Sequence, residues 1–330
     1  MKRREFIGLL GGAATGLPLA ARAQQTERPR RVAVLMAYAE TDKEAQTRVA
    51  VFREELQKLG WAEGRNVAVG IRYATASMDT INRLAQELVA SQPDVIVSST
   101  TPTTEALLRL TKSIPMIFAT VADPVGSGFV ASLARPGGNV TGFTNVEGSM
   151  AGKWLELLKE IAPRLARAAL LFNPATAPYA EIYLGPFKSA AAALGVEGVV
   201  TPVADVREVE FVLAKLADAA NSGFVVLPGP FMSNLSAQIT SLAARHHLPA
   251  VYPFRYYTEL GGLLSYGSDQ YDNYRRAAEY VDRILRGSKP GELPVQAPVK
   301  FELAINLKTA KALGLDVLPA LLQQADTVIE

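Results

Sequence analysis

The chain of 330 residues contains no cysteine and only two histidines, His246 and His247. Without thiols there is no disulfide scaffold, no cysteine-ligated zinc, no iron–sulfur cluster and no thiol nucleophile. A lipoprotein anchor is excluded as well, because it needs a cysteine just after the signal. The two imidazoles are neighbours in sequence, so on a helix they point to different faces and make a poor metal pair. At a helix C-terminus they read as a solvated turn that complements the helix dipole. Other chemical signatures are also missing. There is no G-x-x-x-x-G-K-[ST] phosphate loop, no G-x-S-x-G elbow, no H-E-x-x-H and no G-x-G-x-x-G after a strand. Gly126-Ser127-Gly128 lacks the flanking residues that an elbow requires. Paired acids such as Glu54-Glu55 fall on amphipathic helices and read as solvated faces. The expectation is no catalytic residue, no metal and no cofactor. No stretch reaches ~18 uninterrupted apolar residues, so no stable membrane insertion is expected.

What is present begins with an address. Met1-Lys2-Arg3-Arg4-Glu5-Phe6-Ile7 is followed by a short, glycine-rich apolar stretch and then Ala21-Arg22-Ala23. A basic start, a short apolar region and an A-x-A site define a cleaved export signal spanning residues 1–23. The Arg3-Arg4-x-Phe6-Ile7 pattern resembles a twin-arginine signal, with general secretion as the alternative. The full chain has 34 Lys/Arg against 32 Asp/Glu, a net charge of +2. Cleavage after Ala23 removes Lys2, Arg3, Arg4 and Arg22 against Glu5, which leaves a near-neutral, slightly acidic protein. Such a chain has no electrostatic footprint for nucleic acid. The expected location is the periplasm.

From Arg31 onward short apolar runs alternate with helix-period segments. Val32–Met36 reads as a strand, and Val49, Phe52, Leu56 and Leu59 share one helix face ending at Gly60. Strands are expected near Asn66–Tyr73, Val95–Val97, Met116–Phe118 and Val140–Phe143, with helices between most of them. The pattern restarts after a seam at Thr144–Ser149, with strands at Ala168–Phe172, Val199-Val200, Phe224–Leu227 and Ala250–Tyr252. Alternation of this kind predicts right-handed crossovers and mostly parallel, doubly wound sheets in two similar α/β halves. Gly261–Gly267 reads as a further strand, followed by a helix bearing Ala277, Tyr280, Val281, Ile284 and Leu285. That is enough chain to cross back to the first half and return. The first lobe is expected to comprise 30–145 and about 268–289, the second 146–267 and about 290–330.

In open α/β sheets, ligands bind beyond the carboxyl ends of the strands. Those ends carry Tyr38, the run Ser98-Ser99-Thr100-Thr101, Asp123, Asn173, Phe231, Tyr252, Phe254 and, at the crossing between halves, Asp269. Ser99, Thr100 and Thr101 precede Pro102, a residue suited to a first helical turn. Hydroxyls and free N–H groups there suit a carboxylate, whereas plain N-capping by Thr101 would need one hydroxyl only. Asp123 either accepts a ligand ammonium or merely starts the Asp-Pro turn. Asp269 either meets an ammonium or caps the helix after it. Phe231, Tyr252 and Phe254 either line an apolar slot or belong to the core. An exported chain with a split site and no catalytic group points to a ligand held by lobe closure.

Several stretches carry a family likeness. They are Leu248–Arg255, Gly261–Gly267, Tyr274–Leu285, Lys300–Ala310, Ser132–Thr144 and Leu59-Gly60-Trp61. The chain resembles ABC-transporter substrate-binding proteins, in the family that includes tryptophan- and tyrosine-binding members. That resemblance implies a type I periplasmic binding fold, two Rossmann-like lobes joined by three hinge crossovers. It further implies a monomeric solute receptor that delivers a small polar ligand, an aromatic amino acid in the characterised branch, to a permease driven by an ATPase. The alternatives are an exported α/β enzyme acting on a small polar substrate and a ligand-sensing module for a membrane receptor.

Overall fold

The structure, a computed structural model, describes residues 28–145 and 147–330. The expected export signal lies outside the described residues. The first half lays down β1 (Arg30–Met36), α1 (Lys43–Lys58), β2 (Val67–Tyr73), α2 (Met78–Ala90), β3 (Val95–Ser98), α3 (Thr101–Leu110), β4 (Met116–Val121) and β5 (Val140–Thr144). These strands form one parallel sheet in the order β2-β1-β3-β4-β5. A sheet covered on both faces needs strands that are apolar at every position, and β1 shows how that works. Val32, Val34 and Met36 enter one core with Val49, Phe52 and Leu56 of α1. Ala33 and Leu35 point the other way, against Ile81, Leu84 and Leu88 of α2 and Leu107 of α3.

The second half contributes α4 (Met150–Ile161), β6 (Arg167–Phe172), α5 (Glu181–Ala193), β7 (Glu197–Pro202), α6 (Val206–Ala217) and β8 (Ser222–Val226). It continues through α7 (Pro230–Asn234), α8 (Ser236–Arg245), β9 (Ala250–Tyr252), α9 (Arg255–Glu259) and β10 (Leu264–Ser268). Next come α10 (Gln270–Leu285), β11 (Phe301–Asn306), α11 (Leu307–Ala312), α12 (Pro319–Gln324) and β12 (Thr327–Ile329). The second sheet runs β12-β11-β10-β9-β8-β6-β7, parallel except where β11 meets β10. The strand order of each half reverses at its first strand, which places a crevice at that end of each sheet.

The chain crosses between the halves three times. It leaves the first after β5, returns through Ser268-Asp269 into α10, and leaves again after Gln296. Helix α10 buries Tyr274, Ala277, Ala278 and Val281 in the same core as α1 and β1. The lobe bounds put this last crossing at about Pro290, whereas in the structure it falls later. Leu293 and Val295 are buried in the two cores of the first sheet. Thr141 Oγ1 donates to Leu293 O at 2.6 Å, and Gln296 pairs through its backbone with Gly142 and Thr144. Pro290–Gln296 thus acts as an edge for β5, because its apolar residues find cover only there.

Polar side chains tie the crossings together. Asn273, buried on α10, donates from Nδ2 to Ala119 O at 3.0 Å and Thr144 O at 3.1 Å. Ser268 Oγ donates to Asn145 O at 2.6 Å and accepts from Gln270 Nε2 at 3.0 Å. Gly267, just before the second crossing, allows a close approach that a side chain would forbid. A Cβ there would lie 1.8 Å from the Pro253 carbonyl oxygen.

Candidate functional site

The carboxyl ends of both sheets face each other across the crossings, and the two halves touch there. Ala122, just past β4, packs into a core of the second half with Met150 and Trp154. Arg48 of α1 lies over the Tyr38 ring of the first half, 4.9 Å from its centroid, and 5.7 Å from that of Tyr256 in the second. Both rings and the guanidinium are buried.

The hydroxyl run at the end of β3 is buried throughout, and its members do different things. Ser98 Oγ pairs with Thr104 Oγ1 at 2.7 Å, joining the end of β3 to α3. Ser99 Oγ accepts the Ala37 N–H at 2.9 Å, which fixes it beside Tyr38 and leaves its own O–H free to donate. Thr100 is the N-cap of α3: its N–H donates to Thr103 Oγ1 at 2.9 Å, and that hydroxyl donates back to Thr100 O at 2.9 Å. Capping is therefore complete without Thr101. The Thr101 Oγ1, at the first turn of the helix, is buried with no hydrogen-bond partner. A free hydroxyl at the positive end of a helix suits an anionic group.

Several other strand-end candidates are engaged elsewhere. The Asn173 amide donates to Val203 O at 2.9 Å and Ala204 O at 3.2 Å, while its oxygen accepts from Thr176 N and Oγ1, both at 3.0 Å. That set holds the ends of β6 and β7 together. Asp269 caps α10 by accepting from Tyr271 N and Asp272 N, and pairs with Lys300 at 3.4 Å and Arg275 at 3.5 Å. Asp123 accepts the Gly126 N–H at 2.8 Å, the geometry of the Asp-Pro turn. Tyr252 is fully buried against Tyr257, with ring centroids 4.9 Å apart, and edge-on to Phe224. Phe231 packs on the same core from α7. Phe254 stacks on Tyr256 at 5.9 Å and so supports the aromatic wall from behind.

Three contributors lie outside the strand-end logic. Arg48 interrupts the apolar face of α1 between Ala45 and Phe52, and a charge at that register was the one available signal. Tyr256, from α9, has a buried hydroxyl with no partner. Tyr179 donates from its hydroxyl to Pro228 O at 2.8 Å. Burial raises the pKa of Tyr38, Tyr179 and Tyr256 above the ordinary value, the Arg48 charge opposing it at Tyr38 and Tyr256. All three phenols are therefore neutral near pH 7 and able to donate. Among the described residues no cluster of three or more His, Asp or Glu could hold a metal ion, and no helix is long and apolar enough to cross a membrane.

Comparison with known proteins agrees with this architecture. The tyrosine-binding protein of Clostridioides difficile (strain R20291) is 27% identical over 269 residues, covering 82% of this chain and 77% of that one. A crystal structure of a conserved domain protein from Vibrio cholerae O1 biovar El Tor is 28% identical, covers 91% of this chain and 100% of that one, and superposes with a TM-score of 0.84. An ABC domain from Streptococcus pneumonia, solved in complex with L-Trp, is 23% identical with the same coverage and a TM-score of 0.84. The two-lobed, mostly parallel architecture is that of the periplasmic binding proteins. The profile of the ABC transporter substrate binding protein family matches residues 32–329. Its members bind a solute and are not enzymes, and the chain belongs to this family of ABC transporter substrate binding proteins.

Proposed function

We propose that this protein captures a small carboxylate-bearing solute, an aromatic amino acid, between its two lobes and presents it to an ABC permease for uptake. The observation that carries the reading is the unpartnered, buried Thr101 hydroxyl at the N-terminus of α3, next to Ser99 and Tyr38. A carboxylate there would accept from Thr101, Ser99 and the helix end together. The aromatic assignment draws on the tyrosine-binding relative and on the ring-rich walls contributed by Tyr38 and Tyr256. Residues 1–23 would direct export and be removed, leaving a monomeric periplasmic protein without a lipid anchor.

The test is a thermal-shift screen of the purified protein against amino acids and other small carboxylates. A true ligand at 100 times its dissociation constant stabilises by roughly 2.7 kcal/mol, a readily visible shift. A shift confined to solutes that lack a carboxylate would overturn the reading. N-terminal sequencing of the exported protein tests the cleavage: a mature chain beginning at Gln24 is expected, and retention of Lys2–Arg4 would refute it.

A further inference from the structure

The cleft contains a cation that the strand ends do not account for. Arg48 is 1% exposed, on the core-facing stripe of α1. Its Nε–H is buried and has no hydrogen-bond partner. Glu44 Oε2 stands 4.0 Å from an Arg48 terminal nitrogen, beyond hydrogen-bond reach, and already accepts the Tyr271 hydroxyl at 2.8 Å. A guanidinium cannot shed its charge to escape burial. A buried charged donor left unpaired is more costly than a neutral one. The Tyr38 and Tyr256 ring faces offset part of that cost by cation–π attraction, but they leave the in-plane Nε–H unanswered.

The acids near the crossings each have a partner within the protein. Asp269 caps α10 and pairs with Lys300 and Arg275. Asp123 spends one oxygen on the Gly126 N–H at 2.8 Å. Glu44 accepts the Tyr271 hydroxyl at 2.8 Å. The unpartnered donors Arg48 Nε, Thr101 Oγ1 and Tyr256 OH can all meet an anion, while Asn145 Oδ1 at the first crossing is one unpartnered acceptor.

We propose that Arg48 contacts the solute's carboxylate through Nε–H, and that the cleft reads the acid group ahead of the ammonium. This deepens the function proposed above and rests on it. Because Tyr256 reaches the same guanidinium from the other lobe, an anion bound there sits at the surface that closes. Arg48 is then the residue that sets specificity for acids.

The experiment is calorimetric titration of the wild-type protein with L-tyrosine, its deaminated analogue 3-(4-hydroxyphenyl)propanoate and its decarboxylated analogue tyramine. The propanoate is expected to bind within about tenfold of L-tyrosine, and tyramine to bind more than about tenfold weaker. Arg48→Gln is expected to weaken both acids about tenfold or more while the unliganded variant stays folded. Tyramine within tenfold of L-tyrosine, a propanoate weaker by more than tenfold, or an Arg48→Gln variant of unchanged affinity would each overturn the proposal. If Arg48→Gln does not fold, the wild-type series decides alone. If none of the three compounds binds, the aromatic reading fails, and Arg48→Gln is compared with wild type on whichever carboxylate the thermal-shift screen identifies. If no carboxylate binds at all, both proposals fall.

Discussion

Ser99 and Thr101 sit two residues apart and divide their labour. Ser99 is anchored by the Ala37 N–H, and Thr101 is left without a partner. Replacing both by alanine removes two donors from the proposed carboxylate site without touching the Thr100–Thr103 cap. Affinity for the solute is expected to fall by at least ~1 kcal/mol in a calorimetric titration, with the folded state intact. Unchanged affinity would remove the pair from the site. At this scale the sequence was legible in part. Four hydroxyls in a row before Pro102 exceed what one cap requires, and the structure leaves that of Thr101 without a partner. Asn173 and Asp269 were not separable from ligand contacts by type or position, because Asx side chains at strand ends serve turns and caps equally well. Arg48 lies on a helix face away from any strand end, and its one mark in the sequence is a charge in an apolar stripe, which is costly enough to require a reason.

The elements themselves followed from periodicity. Parallel strands buried on both faces gave the continuous runs Val32–Met36, Val95–Val97 and Phe224–Leu227, and the helices between them kept their apolar positions in register. What periodicity missed was short: α7, α9 and α12 have five or six residues each, and β12 has three. Elements of one turn are fixed by tertiary contact and leave little pattern of their own. The path of Pro290–Gln296 is hidden in the sequence for a related reason. Its prolines signal irregular chain, and only contact with β5 shows which sheet it joins. Helix α10 ties the crossings to the first sheet, since Asn273 donates to the ends of both β4 and β5. Asn273→Ala would leave the Ala119 and Thr144 carbonyls buried and unpaired at about 1–3 kcal/mol. Denaturant unfolding is expected to show a lower midpoint at unchanged slope. An unaltered midpoint would mean that this amide does not hold the crossing.

At the scale of the whole molecule, buried phenols set the response to alkali. Burial raises the pKa of Tyr183, Tyr252, Tyr257 and Tyr274, besides Tyr38 and Tyr256, above the ordinary value near 10. The native state then keeps protons that the unfolded chain loses, so it binds more protons above about pH 10. Stability is expected to be insensitive to these groups below that pH and to fall as pH rises through it. Melting temperature and tyrosinate absorbance followed together should change in one step, with ionisation accompanying unfolding. Ionisation of the full tyrosine complement in a protein that remains folded would contradict the burial.

The two lobes, the crossings and the hydroxyl cluster all converge on one claim, that this protein holds a solute and does not transform it. The direct measurement is a calorimetric titration with the best solute from the screen, followed by recovery of that solute from the complex and mass analysis. The account predicts one solute per chain, released chemically unchanged. Turnover of the bound compound, or saturation at two independent sites with Ser99→Ala/Thr101→Ala indifferent at both, would contradict it.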